Sequence, residues 1–345
     1  MDASSQNPAG GPGSDTTQTM NFKSNFAINR LDRQDPTEGF LEAMAAAGIV
    51  PVGGIDLGER LLRFRVTGDR PGSENGWAVF HADPPASGAF GNWKTGIRQT
   101  WCAKNRDTLT TAERDTLRRR VEVDRVARAQ EADKRHFVAQ KRAFQAWQAA
   151  TPVEGCEHDY LRRKGVSAHG LRVGWWQAGR LTIEGCLLIP MTDFDGVLWS
   201  LQAIFPTKNE MLGRDKDFLG GGRKAGLFHT LGKIDPTGRL ILAEGYATAA
   251  TLFETLGEPV LCCFDAGNLL AVATEARRRF PKVDLVIAAD NDRFTKGNPG
   301  LTKARAAALT SGARLLVPIF ADDEPGSDWN DWQLLKKEAA NVKSC

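Results

Sequence analysis

Between residues 239 and 320 the chain alternates short apolar runs with amphipathic stretches, and this alternation restricts the fold more than any other feature of its 345 residues. "RLILAEG" predicts a strand and "YATAATLFETLG" a helix stopped by glycine. "PVLCCFDAG" and "NLLAVATEARRRF" repeat the pair, and "VDLVIAADND" and "GLTKARAAALTSG" repeat it again before a fourth strand, "ARLLVPIF". Strands that are apolar without alternation must be buried on both faces. Spaced by amphipathic helices, they imply a parallel sheet with helices on each side.

In such a sheet, reactive groups gather at the carboxyl ends of the strands. The first strand ends on Glu244, the third on Asp290 and Asp292, and the loop after the fourth, "ADDEPGSDWNDW", carries Asp328 and Asp331. Ionised carboxylates crowded on one edge repel one another and resist desolvation. A divalent cation relieves both costs. An all-oxygen donor set, with no His or Cys nearby in sequence, points to Mg²⁺ or Mn²⁺ rather than zinc. Asp328 and Asp331 have a second reading, as caps of a helix beginning at "DWNDWQLLKKEAA". A similar pair in "TDFDG" at 192–196 reads as a turn.

Composition removes several classes. The chain is 41% hydrophobic and 25% charged with a net charge of +3, so bulk charge neither requires nor forbids a nucleic-acid partner. Six cysteines include no C-x-x-C pair, which argues against a zinc ribbon and a disulfide framework. The N-terminus lacks a signal-peptide pattern and no run approaches a membrane span, so a cytoplasmic protein with no membrane partner is expected.

Upstream, residues 1–33 are rich in Ser, Gly, Pro, Asn and Gln and are expected to form a disordered tail, with "QTMNFKSNFAINRL" as a possible late-ordering motif. Residues 34–105 read as a small β-rich module opened by a helix at "TEGFLEAMAAAGI", with Thr37 as N-cap and Gly48 as stop. Arg63, Arg65, Arg70, Lys94 and Arg98 are interleaved there with Trp77, Phe80, Phe90, Trp93 and Trp101. The rings suit either a small core or the stacking of single-stranded bases. Residues 106–150 predict a long charged linker helix with a capping box at Thr110 and Glu113. Residues 151–235 follow as a mixed subdomain with a hairpin over "CLLIPMTDFDGVLWSLQAIF" and a basic glycine-rich loop, "KDFLGGGRKAGLFHTLG". The sheet domain is expected at 236–335, and 336–345 is expected to be a C-terminal tail.

A strand ending in E-G and, two β/α steps later, an apolar strand ending in D-x-D resemble the Toprim domain of bacterial-type primases, topoisomerases and some nucleases. "EGYATAATL" and "GSDWNDW" are most similar to Toprim primases of plasmids and phages, and "HDYLRRKGVSAHGLRVGWW" resembles the opening of the primase catalytic core. The resemblance implies a Rossmann-like Toprim domain behind a primase-core subdomain. It also implies a nucleotidyltransferase making short RNA primers on single-stranded DNA from NTPs, beside a separate replicative helicase. By it, Glu244, Asp290 and Asp292 are catalytic, these three with Asp328 and Asp331 hold metal, and Lys216, Arg223 and Lys224 meet triphosphate or template. A solvated basic loop is the other reading of those three. His229 reads as packing.

No G-x-x-x-x-G-K-[ST] occurs, and the Cys/His ribbon of cellular primases is missing. Two rivals remain. One is a metal-dependent Toprim nuclease; a tyrosyl–DNA route is disfavoured because only Tyr160 and Tyr246 exist. The other is a non-catalytic DNA-binding or helicase-recruiting protein.

Overall fold

A computed structural model describes residues 26–27 and 35–343. The chain divides into two compact units, residues 1–127 and 128–345, with the boundary inside a long helix.

The first unit is built on one five-stranded sheet. Its elements are β1 (Phe26–Ala27), α1 (Pro36–Ala46), β2 (Leu62–Phe64), β3 (Gly76–His81), β4 (Ser87–Asn92) and β5 (Ile97–Cys102). The order is β1-β5-β4-β3-β2, antiparallel from β5 to β2. Helix α1 starts earlier than expected: Asp35, not Thr37, is the N-cap, its carboxylate accepting from the Thr37 amide, because Pro36 preorganises the first turn. Within the tail expected at 1–33, Phe26–Ala27 forms a strand on the open edge of β5; the rest lies outside the described residues. Phe40 of α1 packs on Phe80, Phe90 and Trp101, so those rings are core. Trp77 and Trp93 are not among them and lie against each other, with centroids 6.0 Å apart.

Helix α2 (Thr111–Ala149) begins with the expected capping box. The Thr110 amide donates to Glu113 and the Glu113 amide to the Thr110 hydroxyl. Lys104, then the Thr110 amide and hydroxyl, pull the Glu113 carboxyl down to about 2.

The second unit holds two sheets. β6 (Thr151–Pro152), α3 (Asp159–Lys164), β7 (Arg172–Ala178), β8 (Leu181–Thr192), β9 (Leu198–Asn209) and β10 (Arg214–Phe218) give an antiparallel sheet in the order β10-β9-β8-β7-β6. The β8–β9 turn is the predicted one. Asp193 accepts from the Asp195 and Val197 amides and from the Trp199 indole, so "TDFDG" is structural. The segment expected as a basic loop opens as β10, because Lys216–Phe218 pair with β9.

β11 (His229–Leu231) leads into the predicted alternation. This comprises β12 (Arg239–Ala243), α4 (Tyr246–Leu256), β13 (Val260–Cys262), α5 (Leu269–Arg279), β14 (Asp284–Ala288), α6 (Pro299–Ser311) and β15 (Arg314–Leu316). The sheet order is β11-β13-β12-β14-β15, parallel except for β11. Helix α7 (Trp329–Lys343) runs through the region expected as a C-terminal tail; Leu334 meets Gly165, so its apolar side has a surface to pack on. The two sheets share one core. Leu187, Ile189 and Ile204 of the antiparallel sheet pack with Ile241, Ala243 and Val286 of the parallel one. That continuity holds the basic segment in a set relation to the strand ends.

Candidate active site

The strand order creates the site. The chain runs from β12 outward to β13, then returns to add β14 on the opposite side of β12. Neighbouring strands whose connections leave in opposite directions open a crevice at their carboxyl ends. Ala243 pairs with Ala288 there, so Glu244 and Asp290, one and two residues beyond, emerge into the same crevice.

Asp290 is the most perturbed of the carboxylates at this crevice. Burial first, then the charges of Glu244, Asp328 and Asp292, raise its carboxyl from the ordinary 3.8 to about 8. Among the described residues its one side-chain hydrogen-bond partner is the Thr248 hydroxyl, 3.5 Å away. Glu244 is also raised, by burial and by Asp292 and Asp265, against the Ala266 amide and Lys303, which favour its charge. Asp328 is raised by burial and Asp331, with Lys164 opposing. Asp290 is therefore close enough to feel the charges of Glu244, Asp292 and Asp328.

Asp292 is held differently. Its Oδ2 accepts from the Gly300 amide at 2.8 Å, in the first turn of α6, where the helix dipole favours a negative charge. A side chain at Gly300 would stand 2.8 Å from that oxygen, so glycine permits the approach. Asn298, left-handed at φ 42°, caps α6 and donates to Asn291 between the two aspartates. Arg293 donates to the Ala321, Glu324 and Gly326 carbonyls and fixes the loop that brings Asp328 in.

Asp331 stands apart. Its Oδ2 accepts from the Ser327 amide and its Oδ1 pairs with Lys164 at 3.5 Å, while its own amide donates to Asp328. Oδ1 is taken by Lys164 of α3, while Oδ2 serves the start of α7, which is the capping alternative. Asp328 shares that task yet also faces Asp290. Of the basic residues, Lys216 and Lys224 are exposed, with their ammonium groups over the Tyr160 and Phe218 rings, and Arg223 lies over Trp199. The cations that act on the carboxylates are others, Lys303 and Lys164. Their signal in sequence was faint. Lys303 is one turn into the helix that holds Asp292, and Lys164 closes a helix more than a hundred residues upstream.

Asn268 was also missed. It is buried, donating to the Leu227 and Cys263 carbonyls and accepting from the Gly226 amide at 2.7 Å. It ties the basic loop to the end of β13. Next to it Phe264 holds φ 71°, a backbone conformation disfavoured for a bulky residue, in the loop that presents the Ala266 amide to Glu244.

His229 is packing, as expected: it is buried, bonded to the His169 carbonyl, and pushed down to about 4 by burial. Tyr160 and Tyr246 are buried at 3% and 1% exposure, and burial raises both phenols. The Tyr246 hydroxyl donates to the Ser167 carbonyl. Neither is placed as a nucleophile.

Among the described residues, no three His, Cys, Asp or Glu side chains form a ready-made metal cage. The donor set still fits a hard divalent cation. Such an ion takes one or two carboxylates and keeps several waters, and here the half-buried negative charge exceeds the cations opposing it. Among the described residues no helix is long and apolar enough to cross a membrane.

Residues 239–338 match the Toprim domain, a fold that in general implies divalent-metal binding. The chain is 34% identical over 299 residues to one DNA primase TraC of Escherichia coli, covering 84% of this chain and 27% of that protein. A second protein of that name and organism is 33% identical over 330 residues, covering 91% and 22%. The chain thus spans about a quarter of the length of the curated relatives it matches. Among solved structures, a DnaG primase catalytic domain bound to ssDNA aligns with TM-score 0.40 and 14% identity over 63% of this chain and 78% of that one. The zinc-binding and RNA polymerase domains of Aquifex aeolicus primase align with TM-score 0.39 and 10% identity over 90% and 82%. This chain carries a Toprim domain, and over most of its length it is homologous to DNA primase TraC.

Proposed function

We propose that the chain is a primase-type nucleotidyltransferase that makes short RNA primers from NTPs on single-stranded DNA, in the replication of a plasmid or phage. The observation that carries this is the half-buried, under-neutralised carboxylate cluster of Glu244, Asp290, Asp292 and Asp328 at the crevice between β12 and β14. Glu244, Asp290 and Asp292 are the catalytic carboxylates of this reading, with Asp328 as a further metal ligand and Asp331 holding Asp328 in place. Bound there, Mg²⁺ or Mn²⁺ supplies charge neutralisation at the reacting phosphate and a lower pKa for the attacking hydroxyl.

The chain's own residues do the rest. The Gly300 amide orients Asp292, Thr248 orients Asp290, and the Ala266 amide orients Glu244. Lys216, Arg223 and Lys224 offer positive charge to triphosphate or template phosphates, with Asn268 holding the last two in register. With no P-loop in the sequence, strand separation falls outside these residues, to a helicase.

The test is primer synthesis on single-stranded DNA with labelled NTPs and Mg²⁺. Wild type should yield short, template-dependent RNA, and Glu244→Gln and Asp290→Asn should yield none while remaining folded. Full activity in either variant would overturn the assignment. Metal-dependent loss of the DNA without NTPs would favour a nuclease.

A further inference from the structure

The sheet of the first unit has two unlike faces. Phe64, Ala78, Phe80, Phe90 and Trp101 pack under α1. Register places Arg63 beside Trp77, Trp77 beside Gly91 and Gly91 beside Arg98, so one row of four strands runs across the opposite face. The Trp77 indole lies over Gly91, where a β-carbon would stand 2.6 Å from the ring. Trp77 is 5% exposed. Trp93, from the turn after β4, leans on it at 39° and is itself 64% exposed.

The charges on this row are positive and unpaired by acids. The Arg98 guanidinium stands 6.0 Å from the Trp77 ring, its only partner among the described residues. Arg63 donates twice to the Glu74 backbone carbonyl, which orients it and leaves its charge intact. Lys94 is different: Asp69 neutralises it. An exposed indole resting on Trp77, in a row that carries two guanidinium groups unpaired with acids, fits a chain of alternating flat rings and negative charges. An apolar protein partner would have to bury both cations unpaired.

We propose that this face binds single-stranded nucleic acid, with one base stacked on Trp93 and adjacent phosphates on Arg98 and Arg63. Trp77 acts as the support that fixes the Trp93 ring. Resting on the primase reading, this assigns to the first unit a grip on the template that needs neither zinc nor the carboxylate site.

The experiment is fluorescence anisotropy of a labelled oligothymidylate with the full chain, in EDTA and without NTPs, across a salt series. Trp93→Ala should weaken binding by about tenfold or more, and Trp93→Phe should restore most of it. Arg98→Ala should weaken binding and reduce the slope of log K against log salt by about 0.7. Because Trp93 and Arg98 are exposed, neither substitution empties the core. Wild-type affinity and slope in both alanine variants would overturn the proposal. The primase reading is judged separately by synthesis in wild type and Asp290→Asn: loss of binding in Trp93→Ala, with no synthesis by wild type, would sustain this face and defeat that reading.

Discussion

Asp290→Asn should stabilise the metal-free protein, and should do so only above acidic pH. A carboxyl that keeps its proton more tightly when folded contributes no penalty below its unfolded value, where both states are protonated. As pH rises from 3.8 through about 8, the unfolded chain ionises first, and stability is lost across that window. At ~1.4 kcal/mol per pH unit the full span corresponds to roughly 6 kcal/mol. Water entry and relaxation around the cluster reduce this, so about 3 kcal/mol is expected. That is a large share of the roughly 5–15 kcal/mol that holds a domain folded. The asparagine cannot ionise. In urea unfolding followed by circular dichroism in EDTA, the variant should match wild type near pH 4 and exceed it by about 3 kcal/mol at pH 9. Saturating Mg²⁺ should narrow the gap, by about 2.7 kcal/mol at a hundred times its Kd, because it binds the folded wild type. A gap that does not change with pH, or a wild type more stable than the variant at pH 9 in EDTA, would refute the reasoning.

Three other substitutions probe the surroundings. Gly300→Ala puts a methyl 2.8 Å from the Asp292 carboxylate and 3.1 Å from the Asp290 carbonyl. It should weaken Mn²⁺ binding, read by electron paramagnetic resonance, by roughly tenfold, and unchanged affinity would contradict the tight approach. Asn268→Ala removes three hydrogen bonds from buried backbone groups. It should cost roughly 2–4 kcal/mol in urea unfolding, whereas a loss below about 0.5 kcal/mol would mean that the basic loop is not anchored there. Lys303→Ala takes away the cation that favours ionised Glu244. The acidic limb of the pH–rate profile for primer synthesis should move to higher pH, and a downward shift would reverse the sign argued here.

Local pattern determined much of this protein. Continuous apolar runs separated by amphipathic helices specify buried parallel strands, because only such strands are covered on both faces. The residues ending those runs are the carboxylates at the crevice, and the capping box at Thr110 and Glu113 was readable for the same reason: each depends on neighbours a few positions apart.

Sequence order could not say which strands are neighbours. β13 follows β12 in the chain, yet β14 lies against β12 on the side where the chain reverses, and only that arrangement brings Glu244 to Asp290. Tertiary structure likewise separated Asp331 from Asp328, sorted Trp77 and Trp93 from the core rings, and selected Lys303, Lys164 and Asn268 as partners of the site. Burial, charge and hydrogen bonding at a crevice sum over segments that meet only when the sheet closes, so no window along the chain contains them.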